Sequence, residues 1–370
     1  MTLYSFAEET YKSLLNGDVP LNEQAIEVIK KIDFDTIIAD DDLCLKLIQA
    51  ALEFKSSVSR ENRHRASHIL VTWLLGIGVS RKYMLQVHES GFGNLYYSNL
   101  WLQSAMLHDY GYLCNEIKDD NLSIENLTEE YNLLSDRYGG DLDILDNMSK
   151  KEVFSHFFSY SYDEIKNYFY YSKDYHIRNK NNNEKNDHGI VGGCIAFRKY
   201  CENARKSKSI EPSPVITQIQ KLACYIAASH NIYKSSSIEK DNDYLRFNLD
   251  RLLSNAPVII NGTNGILFLL SLVDTIECTK RFSAKSNSAA YLIQTTTLKY
   301  VDITFTSSSL VVDYSNLNKY LLEKRSQNPE LLETLKKHVN GVFGLSSWTS
   351  FITHKVDSKN DYAIAIEFPA

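Results

Sequence analysis

The sequence predicts a mainly α protein that ends in a small α+β unit. Helical spacing of apolar residues dominates from about residue 4 to the run ending at Val273. After about Ser286 the spacing shifts toward alternation in Thr, Val, Ile and Tyr, the mark of strands. Histidines and aspartates recur where apolar helical runs begin or end. With 370 residues the chain has enough length for one large core and a smaller second unit.

Residues 1–59 read as N-terminal helices packed on that core. Phe6, Tyr11, Leu14 and Leu15 keep helical spacing until Asn16-Gly17 stops it. Leu21–Ile32 and Leu43–Phe54 repeat the pattern, with Asp40–Asp42 as a cap for the latter. From Arg60 the character changes. A polar, basic start, Glu61-Asn-Arg-His-Arg-Ala-Ser-His68, leads into the apolar helix Ile69–Gly76. His68 stands at the threshold of that run, whereas His64 lies among charges. The next long helix is expected over Leu95–Leu113, delivering His108-Asp109 near its end, with Gly111 turning the backbone just after.

Residues 117–187 read as an insertion: an acidic, polar stretch over Lys118–Asp146, an aromatic one over Phe154–Tyr175, and a hydrophilic loop over Asn179–Asp187. Packing is the expected role of the aromatic stretch. Asp187-His188-Gly189-Ile190 then looks like a capped helix start, and its small residues suit a close backbone approach. Another helix from Ile216 ends its apolar run at Ser229-His230-Asn231. The buried run Ile266–Val273 is followed directly by Asp274, then Glu277, Lys280 and Arg281. In the tail, residues 286–370, Tyr291–Thr296, Tyr300–Thr306, Leu310–Tyr314, Trp348–Val356 and Tyr362–Phe368 read as strands. Leu317–Arg325 and Glu330–Val339 read as helices.

Composition narrows the function classes. Hydrophobic content of 44% and charged content of 23% are those of a globular protein. A net charge of -6 gives no overall attraction to long nucleic acid or to an anionic membrane. The longest apolar runs, Ile69–Val79 and Ile266–Val273, are too short to span a bilayer. The six cysteines form no Cys-x-x-Cys pair and read as free thiols in a reducing cytoplasm.

The chemistry-bearing set is His68, His108, Asp109, His188, His230 and Asp274. Burying so many polar groups in one helical core is costly unless they pair or bind metal. Four imidazoles and two carboxylates suit one or two divalent transition ions, manganese, iron, cobalt or nickel. The absence of cysteine from the set argues against structural zinc.

The order His…His-Asp…His…His…Asp resembles the HD-domain superfamily of metal-dependent phosphohydrolases. The resemblance covers about residues 60–282 and includes Arg65-Ala-Ser-His68, Leu107-His-Asp-Tyr-Gly-Tyr112 and Leu272-Val-Asp274. It departs from the family at Tyr112, where a lysine is common, and in the long insertion. Asp187-His-Gly-Ile190, Ser229-His-Asn231 and Asp274…Glu277…Arg281 look like a branch found in bacterial genomes near phage-defence genes. The resemblance implies an HD-type helical bundle over residues 60–285. His68, His108, Asp109 and Asp274 would hold a first ion, and His188 and His230 a second one bridged by Asp109. In the similar deoxynucleotide triphosphohydrolases one ion is kept, and an intervening histidine serves as acid or base. There the opening Arg-x-x-His places an arginine on phosphate, a role that falls to Arg65, with Lys280, Arg281 and Asn231 as further substrate-binding residues.

The implied activity is hydrolysis of a phosphoester or phosphoanhydride bond in a nucleotide or nucleotide-derived signal, in the cytoplasm and in a setting of antiviral defence. The same ligands leave open an HD-type nuclease, a mixed-valent di-iron oxygenase and a non-catalytic nucleotide-sensing module. The α+β tail is compatible with regulation or a homo-oligomer.

Overall fold

The computed structural model describes residues 1–19, 21–54, 65–87, 95–113, 265–282, 295–307, 309–323, 330–343 and 362–367, with separate positions between 188 and 230. The expected insertion at 117–187, the strand at Trp348–Val356 and Asn231 lie outside the described residues, as does the side chain of Arg281.

Four capped helices open the chain. In α1 (Leu3–Leu15), Thr2 and Ser5 form a reciprocal capping box, and Leu3, Phe6, Ala7, Thr10, Tyr11 and Leu14 make one buried face. Helix α2 (Glu23–Ile29) starts on the Asn22 side chain, α3 (Phe34–Ala39) on Asp33 and α4 (Asp41–Leu52) on Asp40. The sequence reading missed α3. At six residues it is under two turns, too short for a period to emerge, although its aspartate cap is plain.

Helix α5 (Arg65–Val87) is the centre of the molecule. Every residue from 66 to 80 is buried, so the helix has no wet face. Helices α1, α3 and α4 pack against it, as do α6 (Leu95–Leu107), α7 (Tyr110–Leu113) and α8 (Gly265–Ile276). Helix α9 (Thr279–Phe282) follows α8 after a two-residue break.

The C-terminal part is a three-stranded antiparallel sheet of β1 (Asp302–Phe305), β2 (Ser309–Asp313) and β3 (Ala363–Glu367), in the order β1-β2-β3. Its register pairs Ile303 with Val312, and Leu310 and Val312 with Ile366 and Ile364, which places these five residues on the buried face. Helices α10 (Ser315–Glu323) and α11 (Glu330–Phe343) lie between β2 and β3 in the chain. The expected strand at Tyr291–Thr296 is corrected in its last residues, since 295–299 are helical. Thr297 and Leu298 are buried there, and packing outweighs the β preference of a threonine run.

The sheet is joined to the helices at both ends of the chain. Leu3 N–H donates to Val301 O and Ile303 N–H to Met1 O, both at 2.8 Å. One continuous apolar cluster runs from Leu3 through α5 and α8 to Ile366. Among the described residues no helix is long and apolar enough to cross a membrane.

Candidate metal centre

Five segments meet at one buried point. Helix α5 brings His68 on its first turn, and the junction of α6 and α7 brings His108 and Asp109. The segments around 188 and 230 bring their histidines, and α8 brings Asp274 near its end. His68, His108, Asp109 and His230 are completely buried, and Asp274 and His188 nearly so. All six candidate ligands therefore converge, although they span more than two hundred residues of sequence.

The geometry falls into two overlapping groups. His68, His108 and Asp109 can each offer an atom within 4.8 Å of the others, and so can Asp109, His188 and His230. Asp109 is common to both. Asp274 belongs with the first group, because its Oδ1 lies 3.0 Å from His68 Nε2 and 3.3 Å from His108 Nε2. In the second group His188 Nε2 lies 3.0 Å from Asp109 Oδ1 and 3.2 Å from His230 Nε2.

Hydrogen bonds on the far side of each ring fix which nitrogen faces inward. His108 Nδ1 donates to Ala105 O at 2.7 Å, and His230 Nδ1 donates to Ala227 O at 2.6 Å. A carbonyl can only accept, so both Nδ1 atoms carry a proton, and both rings turn Nε2 toward the centre. His68 Nδ1 is held by the carboxylate of Glu277. Second partners of this kind are what orient imidazoles toward a metal. Nε2 of His108 faces His68 Nε2 at 3.3 Å as well as the Asp274 carboxylate. Asp109 Oδ1 is buried without a hydrogen bond, although His188 Nε2 is close. Imidazole nitrogens and carboxylate oxygens gathered at one buried point are a donor set for a cation. The donor set fits a divalent transition ion.

Electrostatics agree with that reading. Burial alone would raise the Asp109 carboxyl, but Lys280, His108 and His188 hold it well below the ordinary range. Burial likewise opposes Lys280, His108 and His68 at Asp274, and the cationic and hydrogen-bonding groups prevail. Both side chains are therefore carboxylates, the form that binds a metal. For His68, burial and Lys280 act to lower the pKa, yet Glu277 and Asp274 raise it above the usual value.

Two local details correct the sequence reading. The helix expected over Leu95–Leu113 breaks at His108-Asp109, which form a turn. The His108 side chain takes the Ala105 carbonyl that the next N–H of a continuous helix would use, and Tyr112 N–H closes a tighter turn onto Asp109 O at 3.0 Å. Gly111 does not turn the chain. It lies in α7, and a Cβ there would stand 2.0 Å from His188 O and 2.9 Å from Gly192 N. The expected close approach at Gly189 is present, with Ala227 O 2.6 Å from where its Cβ would be.

The rim carries the cations. Arg65 Nη1 lies 3.1 Å from Asp109 Oδ2, and Lys280 Nζ is paired with Asp274 Oδ1. Arg65 is 23% exposed, and Lys280 and His188 are 10% exposed, more than the buried groups behind them. Sequence reasoning gave no site role to Glu277 or Tyr112. Glu277 holds His68 with one oxygen and accepts Thr279 N–H with the other at 2.8 Å. Its spacing of three from Asp274, on one helical face, was the available signal. Tyr112 stacks on His188, with ring centroids 4.0 Å apart and an interplanar angle of 21°.

No protein-family model, no curated protein and no solved structure matches this chain.

Proposed function

We propose that the chain is a metal-dependent phosphohydrolase of the HD type, cleaving a phosphoester or phosphoanhydride bond of a nucleotide or nucleotide-derived signal. The observation that carries the proposal is the sharing of Asp109 between two ligand groups, one with His68 and His108 and one with His188 and His230. A carboxylate placed between two imidazole pairs suits two ions a few ångströms apart, the arrangement of many phosphoryl-transfer sites. A bare histidine–aspartate set also serves oxygenases. The cations favour phosphate, because a guanidinium and an ammonium stand beside the two carboxylates.

When bound, a divalent ion supplies Lewis acidity and brings the pKa of water toward neutrality. The remaining work belongs to the chain. Asp109 and Asp274 supply negative charge to hold the ion, and His68, His108, His188 and His230 supply neutral nitrogen. Arg65 and Lys280 take phosphate oxygens and stabilise the charge that grows on them as water attacks phosphorus. The bond to the leaving oxygen then breaks, and that oxygen must gain a proton. In a one-ion layout His188, not committed to metal, would give it. In the favoured two-ion layout both histidines would be ligands, and the proton released by the attacking water would reach the leaving oxygen through solvent.

Elemental analysis tests the metal and a product screen tests the reaction. The purified protein, reconstituted with manganese or iron, should carry about two ions per chain. Asp109→Ala should lose metal and activity together, because Asp109 touches both groups. His188→Ala and His230→Ala should each drop about one ion and keep the other. Equal metal content in wild type and Asp109→Ala defeats the site. Metal without turnover of any nucleotide or dinucleotide, scored by product mass, defeats the hydrolase. One ion in wild type, unchanged in His188→Ala, selects the one-ion layout.

A further inference from the structure

Asp109 has a nitrogen close to each of its oxygens. Arg65 Nη1 lies 3.1 Å from Oδ2, and His188 Nε2 lies 3.0 Å from Oδ1. The two groups are themselves kept apart by a single ring. The Arg65 guanidinium carbon lies 3.4 Å from the Tyr112 ring centroid, and the His188 ring stacks on Tyr112 at 4.0 Å and 21°. Arginine, tyrosine, histidine and aspartate thus form a closed circuit.

We infer that Tyr112 is a positioning residue for the metal centre: its ring spaces Arg65 and His188 so that one stands beside each oxygen of Asp109, which fixes how that carboxylate is divided between the two ligand groups. The inference deepens the proposed function and rests on that reading for its effect on metal.

Three physical points support it. A guanidinium over an aromatic face gains cation–π attraction, and a flat imidazole gains stacking, so both faces of the ring are occupied favourably. The ring is carried by backbone that cannot drift, since Tyr112 N–H is bonded to Asp109 O at 3.0 Å. Next to it, Gly111 abuts His188 O and Gly192 N with no room for a side chain. Finally, a carboxylate shared by two ions must present its oxygens in opposite directions, and the Arg65 bond on one side with the His188 ring on the other limits rotation about its Cβ–Cγ bond. A lysine at 112 has no faces and cannot hold two planar groups apart. Arg65 Nε is buried without a hydrogen bond. The guanidinium is therefore oriented by the ring and by Asp109 rather than by a full set of acceptors.

The test uses the full chain in three forms: wild type, Tyr112→Phe, which keeps the ring and loses the hydroxyl, and Tyr112→Leu, which keeps apolar bulk and loses the faces. In metal-free protein, histidine ring-proton NMR, assigned with His188→Ala, reads the stack directly. The His188 resonances should be shifted upfield by ring current in wild type and Tyr112→Phe, and should return toward ordinary values in Tyr112→Leu. Manganese titration then reads the consequence. Tyr112→Phe should bind as wild type does, whereas Tyr112→Leu should weaken the second binding step by about tenfold or more and leave the first nearly unchanged. An unshifted His188 in wild type overturns the inference. So does a Tyr112→Leu isotherm equal to wild type, or one in which both steps weaken alike, the mark of a merely structural role. If wild type binds no metal while the ring-current pattern is as stated, the proposed function fails and the spacing role of Tyr112 stands.

Discussion

Asp41 begins α4 with a carboxyl turned inward, where Ser67, the residue before His68, donates to it from both backbone and hydroxyl. Its Oδ1 is buried without a partner. Burial pushes this carboxyl up to about 6 against the pull of the Ser67 hydrogen bonds, and the charges of Asp40 and Asp42 add to the rise. The folded protein therefore holds the proton more tightly than the unfolded chain, whose carboxyl titrates near 3.8. The stabilising contribution is fully present below that value and is lost as pH rises through about 6. At pH 7 the ionised group costs about 3 kcal/mol, taking the shift at face value. Asp109, Asp274 and Glu277 titrate below the ordinary carboxylate range, so their losses come at lower pH. Urea unfolding at pH 5 and pH 7 checks this: wild type should be more stable at pH 5, and Asp41→Asn should show a smaller difference. Equal differences in the two proteins would remove Asp41 from the account. Single residues were unevenly legible in the sequence. The six candidate ligands could be picked out because each stands where an apolar run meets polarity. Glu277 and Tyr112 could not be given roles, since what they touch, His68 and His188, is remote in sequence and is set only by packing.

At the scale of elements, one device recurs. Ala105-Met-Leu-His108 and Ala227-Ala-Ser-His230 both end with an imidazole bonded back to the alanine carbonyl three residues earlier. Each thereby directs Nε2 into the centre, and the first is where α6 gives way to α7. Sequence periodicity ran straight through that point, because the apolar pattern continues to Leu113 and the break lies in a side-chain bond rather than in a glycine or proline. The last residues of the strand expected at Tyr291–Thr296 are helical for a related reason: local preference yields when burial of Thr297 and Leu298 favours a helical turn. Gly111 is where two elements come closest to the site. Gly111→Ala places a Cβ against backbone atoms of His188 and Gly192, which cannot rotate away. The strands of chain must separate, at a cost of about 1–3 kcal/mol. Thermal melting should show a lowered midpoint, and metal content should fall with it because His188 is displaced. An unchanged midpoint would mean that the two segments are free to part.

For the whole molecule the question is whether the C-terminal α+β part stands alone, as its change of periodicity suggests, or unfolds with the helices. Its seams are polar as well as apolar. Tyr314, at the end of β2, is fully buried and donates its hydroxyl to Ile276 O at 2.8 Å, one residue before Glu277. His338 of α11 lies 3.2 Å from that hydroxyl through Nε2, which must be the donor because the hydroxyl proton is already used. Phe305 of β1 packs its ring 4.8 Å from that of Phe6 in α1, and the first three residues of the chain hydrogen-bond along β1. Elements with so many shared buried groups lose those contacts together, so scanning calorimetry should show one transition for the intact chain. Tyr314→Phe keeps the ring and leaves both the Ile276 carbonyl and the His338 ring short of a partner. It should cost about 1–3 kcal/mol and lower that single transition without splitting it. Two resolved transitions in wild type, with Tyr314→Phe moving only one of them, would mean that the sheet and the metal-bearing helices fold as separate units.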